Sequence, residues 1–224
     1  GRASLVDFSK VPGFLETQKP FIEGDPVYRR QTGGILVGPY IEGYYYALWV
    51  NTELAQQLGL NIQMRGMKFD DLLGYVRQVT EYNHRNGTQI AAFYEAKDWL
   101  TLEILFQSLV KSEIPDFETA KAPVPSPEKR SALLKGLQAF EEMGRLKPLI
   151  ASHRENIWFD TRQLVLENRT LFYVNGTWMY SHWRGLDPEK LKRMAPAELP
   201  VFKEVNHALG GYVPAWAGMS DSPP

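Results

Sequence analysis

Between Thr170 and Gly185 the chain reads TLFYVNGTWMYSHWRG, a β-type run followed by Asn-Gly-Thr and then Trp178, Tyr180 and Trp183. Aromatic residues this dense either fill a core or grip something flat. An indole is rigid and amphipathic, so its face can stack on the C–H face of a sugar ring while its N–H finds a polar partner. A second cluster offers different chemistry. Glu95, Asp98 and Glu103 lie close to Tyr94 and Trp99, and two acids beside a sugar-stacking ring are the minimum a glycosidase needs. Asp98 is equally explained as a helix cap and Glu103 as an exposed helix residue, and no spacing of acids along a chain diagnoses such an enzyme.

Other chemistries find little support. His84, His153, His182 and His207 are isolated, with no HExxH or equivalent pair. The pairs Gly33–Gly34 and Gly210–Gly211 lack the rest of a phosphate loop, and no GxSxG elbow occurs. No metal, cofactor or catalytic residue is therefore assigned. The absence of cysteine excludes disulfides and thiolate metal sites and points to an exported bacterial protein. With 25 basic and 26 acidic residues and a formal charge of −1, the chain has no broad field for nucleic acid or an anionic membrane. A neutral small solute fits better. The uncharged stretch from Gly43 to Thr52 is too short to span a bilayer, and no apolar leader stands at the start. Three Asn-x-Thr sequons, at Asn86, Asn168 and Asn175, read as turns rather than glycan acceptors.

These residues need elements to hold them. Residues 1–34 are punctuated by Pro and Gly and read as loop with one short helical turn. Tyr44 to Asn51 reads as a central strand buried on both faces. Phe69, Leu72, Leu73, Val76 and Val79 have helical spacing that stops at Asn86–Gly87. A strand over Gln89–Tyr94 leads to a helix opening at Asp98, with Asp98 as its cap and Leu102, Leu105, Phe106 and Leu109 on one face. The linker-like Lys121–Pro127 ends as a helix start, with Ser126 as cap and Pro127 at the first helical position, and the buried face of that helix is Leu133, Leu134, Leu137, Phe140 and Met143. A helix from Asp160 to Asn168, the strand Thr170–Val174, and strands at Leu199–Phe202 and Gly211–Ala215 complete the pattern. Alternating helices and strands argue α/β with a largely parallel sheet. A strand that ends in Asn-Gly-Thr and enters a helix puts Trp178 and Tyr180 at the carboxyl edge of that sheet, where α/β folds bind ligands. Core packing is the rival for each ring, most of all for Trp183.

With these motifs in order, the chain resembles the family 1 extracellular solute-binding proteins of bacterial ABC importers, of the sugar-binding type. The residues that carry the resemblance are the strand followed by NGTWM, then Glu198–Leu199–Pro200, then Gly210–Gly211–Tyr212. YYYALWVNTELAQQLGLN and MKFDDLLGYVRQVT resemble two earlier family segments. The likeness runs from about Gly34 to Ala215.

It implies a periplasmic-binding-protein-like α/β fold of type II. Each lobe has three layers with a mixed or parallel sheet between helices, and hinge strands cross between lobes. By that comparison residues 1–50 are a first-lobe remnant and first hinge strand, 51–206 the second lobe, and 207–224 the crossing back. More chain is expected at both ends. Trp178 matches the family's cleft tryptophan, Glu42 and Tyr44 fall on the first hinge strand, Trp99 at a loop-to-helix start, and Tyr212 after the Gly-Gly. Val50–Asn51–Thr52 departs from the family's Tyr-Asn-Lys and leaves ligand identity open. The resemblance implies a non-catalytic sugar-binding protein with a membrane permease as partner. It would be periplasmic or extracellular, with a lipid anchor as one way of holding it there. A sensor domain of a membrane receptor and a carbohydrate-active hydrolase are the alternatives.

Overall fold

A computed structural model describes residues 6–24, 36, 38–114, 126–149, 154–204 and 209–214. Residues 121–125 of the expected linker lie outside them. Contacts divide the chain into two compact units, Gly1–Tyr45 with Leu209–Pro224, and Tyr46–Ala208. The long strand β1 (Tyr40–Asn51) runs from the first into the second.

In the first unit a short 3-10 turn (Phe8–Lys10) precedes α1 (Phe14–Gly24), which is longer than the single turn expected there. Asp7 ties this segment together, its Oδ1 accepting from the Ser9 amide and hydroxyl and from the Leu36 amide. The opening half of β1 pairs antiparallel with β5 (Gly210–Pro214), with Gly43 opposite Tyr212 and Tyr44 opposite Gly211. Gly210 is dictated by that pairing: a Cβ there would fall 2.1 Å from the Tyr44 carbonyl oxygen.

The second unit is built on a four-stranded sheet in the order β2 (Ala91–Phe93), β3 (Thr170–Gly176), β1, β4 (Met194–Ala197). β2 and β3 are parallel, while β1 is antiparallel to both β3 and β4. The sheet is therefore mixed, not largely parallel. β1 is its centre, as the run of apolar residues requires, and burial is complete from Ala47 to Asn51. Tyr45, upstream, is exposed.

The sheet alternation sends two sets of side chains to two helical layers. On one face Trp49, Tyr173 and Tyr94 pack with Met179, Trp183, Val165 and Leu191. These last four come from α7 (Met179–Leu186), α8 (Pro188–Leu191) and the turn Val165–Glu167, which follows α6 (Trp158–Leu164). On the other face Phe172 meets Phe93 and Tyr75, the latter from α3 (Phe69–Asn86). α3 follows the spacing read from the sequence: its five periodic apolar residues are buried, and Gly87 ends it in the left-handed region at φ 65°. The short α2 (Thr52–Gln57) is capped by the buried Asn51, whose side chain accepts from the Leu54 amide.

Three expectations need correction. α5 (Pro127–Arg145) opens at Ser126 and Pro127 as read, but its buried face is Ala132, Gly136, Ala139 and Met143. Leu134 and Leu137 are exposed, and Leu133 and Phe140 only half-buried. Small residues win because α5 lies close against α4 (Leu102–Glu113): a Cβ on Gly136 would sit 2.8 Å from the Phe106 ring. Leu199–Phe202 is not a strand of the sheet. Pro200 has no N–H to give a ladder, and the segment makes a single bridge, Val201 with Lys68, while Ser108 and Ser112 of α4 hold Pro200 O and Phe202 N. The helix expected over Asp160–Asn168 begins earlier, at Trp158, and ends as a 3-10 turn with Asn168 at φ 59°.

Candidate functional site

Because β2 and β3 run parallel, their carboxyl ends open on one edge of the sheet. Because β1 is antiparallel to β3, Tyr46 reaches the same edge, opposite Gly176. Trp99 follows β2 and Trp178 follows β3, so the topology brings these two sequence-predicted rings together. Their indoles lie near parallel, 13° apart with centroids at 6.0 Å. Tyr46 meets Trp178 edge-on at 5.5 Å, and Trp158 meets Trp99 at 5.5 Å. All four rings are partly exposed. They form one aromatic platform.

The spacing decides how such a platform could be used. A ring held between two others needs about 3.5–4.0 Å on each side, more than the 6.0 Å between Trp99 and Trp178. The two indoles are thus partners to each other, and a flat ligand would not fit between them. The Asn-Gly that precedes Trp178 is explained by packing. A Cβ on Gly176 would sit 2.0–2.2 Å from three Trp178 ring carbons, so the indole folds down onto the glycine backbone and any larger residue would lift it. Asn175 is fully buried; its Oδ1 accepts from the Gly176 amide and its Nδ2 donates to Tyr173 Oη. A residue so placed is a structural strut; Asn175 and Gly176 are the last two residues of β3, and the turn expected on them falls instead on Thr177 and Trp178.

Trp183 takes the opposite role from Trp178. It is fully buried, edge-on to Trp49 at 5.0 Å, and its indole N–H donates to the Arg162 carbonyl at 2.7 Å. Tyr180, also expected at the mouth, is 52% exposed in the first turn of α7. Glu42, Tyr44 and Tyr212 belong to the other unit, on the β1–β5 ribbon, where Glu42 is exposed and Tyr44 half-buried; the Tyr212 side chain is outside what is described.

Sequence reading missed Trp158 and Tyr46. Tyr46 was absorbed in a strand, and Trp158 is a single aromatic before a helix, with nothing in its spacing to mark it. Its neighbourhood is unusual. The buried Arg162 guanidinium lies over the rings of Trp158 and Phe159, 4.9 and 3.9 Å from their centroids. Its Nη1 donates to His182 Nδ1 at 2.8 Å, which requires that nitrogen to be unprotonated. Burial, and then the Arg162 charge, hold His182 below its ordinary value of 6.5.

Two of the three carboxylates hold the ends of helices. Asp98 does not cap α4 as expected; its Oδ1 accepts from the Trp158 amide at 2.7 Å and so starts α6. The start of α4 is held instead by Glu95, whose Oε1 accepts from Thr101 Oγ1 at 2.8 Å and from the Leu102 amide at 3.0 Å. Glu103 is exposed in the first turn of α4. Glu95 is 2% exposed, and burial pushes its carboxyl up to about 7 against those two hydrogen bonds. Its other oxygen, Oε2, and the Trp158 indole N–H are two of the three buried side-chain atoms without a hydrogen-bond partner among the described residues. Also among them, no group of three acidic or histidine side chains could hold a metal.

No family model matches the chain. No curated protein matches it either. Solved structures do. The chain superimposes on a protein from a study of xylan utilisation by Caldanaerobius polysaccharolyticus with a TM-score of 0.71, at 14% identity, over 98% of this chain and 55% of that one. For a chitin oligosaccharide binding protein the values are 0.68, 14%, 99% and 53%. For the maltose-bound MalE3 of T. maritima they are 0.60, 16%, 94% and 52%. The chain has the fold of the ABC-transporter solute-binding proteins. It spans about half the length of the solute-binding structures it matches. Within that fold the aromatic platform sits where open α/β sheets take their ligands, at the carboxyl ends of parallel strands.

Proposed function

We propose that the chain is the platform-bearing part of a non-catalytic solute-binding protein that takes up a carbohydrate and delivers it to an ABC permease. The observation that carries this reading is the platform itself: Trp99, Trp158, Trp178 and Tyr46, partly exposed and gathered at one sheet edge by the strand directions. Stacked aromatic faces suit the C–H faces of sugar rings, and the near-neutral chain suits an uncharged solute. The solved structures of like fold agree, being named for maltose, chitin oligosaccharide or stachyose. One is described as a probable secreted solute-binding lipoprotein, which supports a place in the periplasm or outside the cell. Among the described residues no helix is long and apolar enough to cross a membrane.

In this reading residues 51–206 are one lobe, 1–50 a first-lobe remnant with the first hinge strand, and 207–224 the return strand. Glu42, Tyr44 and Tyr212 would add polar contacts from the hinge, and Tyr180 would extend the stacking surface. Ligand would shift the population toward a closed form. The test is calorimetric titration of the chain with maltotriose, xylotriose and triacetylchitotriose. Trp178→Ala is expected to weaken the tightest of these by about 1–3 kcal/mol, roughly five- to 150-fold, with little change in melting temperature. Equal affinity in the variant would remove Trp178 from the site.

A further inference from the structure

We propose that Glu95 is a proton-sensitive positioning residue of the aromatic platform: its carboxyl clamps the turn Ala96–Leu100 that carries Trp99, and the clamp loosens when the carboxyl gives up its proton. The geometry is that of a strap. Glu95 stands at one end of the turn and accepts from Thr101 Oγ1 and the Leu102 amide at the other. Between these ends the Lys97 amide donates to Asn156 O, and Asp98 accepts from the Trp158 amide. Trp99 therefore hangs between anchors that also fix Trp158, and its pose against Trp178 follows from them.

Both anchors at Glu95 end on the same oxygen. Bonds to an ionised acceptor are roughly twice as strong as those to a neutral one, and a negative charge at the start of α4 is favoured by the helix dipole. These gains offset only part of the cost of burying the charge, so the ionised form is the one that strains the turn. Neither state is fully satisfied: ionised, Oε2 holds charge without a donor, and protonated, its O–H has no acceptor among the described residues. That balance leaves both forms accessible, in line with a carboxyl pushed up to about 7 by burial.

The other ionisable groups around it are few. Glu103 of α4 adds to the upward push. Tyr173 of β3, itself raised to about 12 chiefly by burial and in part by Glu95, stays protonated. Lys97 and Asp98, on the turn itself, are exposed. On α6 and α7, Arg162 and His182 touch the Trp158 ring, and His182 titrates below 6.5.

The proposal concerns the platform of the sugar reading but is tested without ligand, so a failed sugar screen and a failed proton titration are separate results. Near-ultraviolet circular dichroism and tryptophan fluorescence of the 224-residue chain would be followed from about pH 5.5 to pH 8.5. One transition centred near pH 7 is expected. It should vanish in Glu95→Gln, persist in His182→Gln, and move to higher pH in Thr101→Val, which removes a bond to the charged form while leaving Glu95 in place. A flat wild-type profile, a transition that survives in Glu95→Gln or disappears in His182→Gln, or an unmoved midpoint in Thr101→Val would overturn the proposal.

Discussion

Trp183→Ala is expected to lower the unfolding free energy by about 3–5 kcal/mol. The ring is fully buried among Trp49, Tyr173 and the helices of its layer, so truncation leaves a cavity that a packed sheet cannot close. It also strands the Arg162 carbonyl, which now accepts from the indole N–H at 2.7 Å; an unpaired buried acceptor costs about 1–3 kcal/mol in its own right. Urea denaturation checks this. A loss below about 1 kcal/mol would mean that the layer under α7 is not packed as described. The contrast with Trp178 is the useful part. Two indoles five residues apart in one short segment should separate cleanly, one by stability and the other by ligand affinity.

The second large effect is a pH-dependent gain. The Glu95 carboxyl is raised from 4.5 to about 7 by burial, so the folded chain holds this proton more tightly than the unfolded one. The stability that Glu95 contributes is therefore fully present below pH 4.5 and is lost as pH rises through 7. Across that window the loss is on the order of 3 kcal/mol. Glu95→Gln keeps the shape and an oxygen to accept from Thr101 and Leu102, and removes the charge. It should raise stability by about that amount at pH 8 and change it little near pH 4. Melting curves of both proteins at the two pH values check this. A variant equally destabilised at both would show that hydrogen bonding, rather than desolvation, dominates at this residue.

Much of the fold was legible because it rests on periodicity. α3 could be read to its terminal glycine, and the apolar run of β1 marked it as the central strand, since both signals are local and strong. The direction of the sheet was not, because strand order and polarity depend on which chains return beside β1, and nothing in a strand's own sequence states that. α5 misled for a different reason: its leucines advertise one face, but closeness to Phe106 and Val110 favours the face of Ala132, Gly136 and Ala139. Hydrophobic spacing reports what can be buried and not how near a neighbour lies.

The site divides in the same way. Trp178 and Trp99 stood out through type and position, and the parallel pair β2–β3 brings them together. Trp158 came to the platform through tertiary contacts: Asp98 and Asn156 tie two loops 60 residues apart. Glu95 was noticed for its type alone. A carboxylate near aromatic rings suggested an acid catalyst; the hydrogen bonds that it accepts from Thr101 and Leu102 depend on how the turn folds back, which residue types do not state.

The measurement that bears most directly on the central claim is a thermal-shift screen of the chain against mono- and oligosaccharides, polyols, amino acids and polyamines. The account predicts stabilisation by sugars that present stackable C–H faces, growing with concentration as RT ln(1 + [L]/Kd). It predicts none from amino acids or polyamines. Stabilisation by amino acids or polyamines in place of sugars, or by no solute at all, would contradict it.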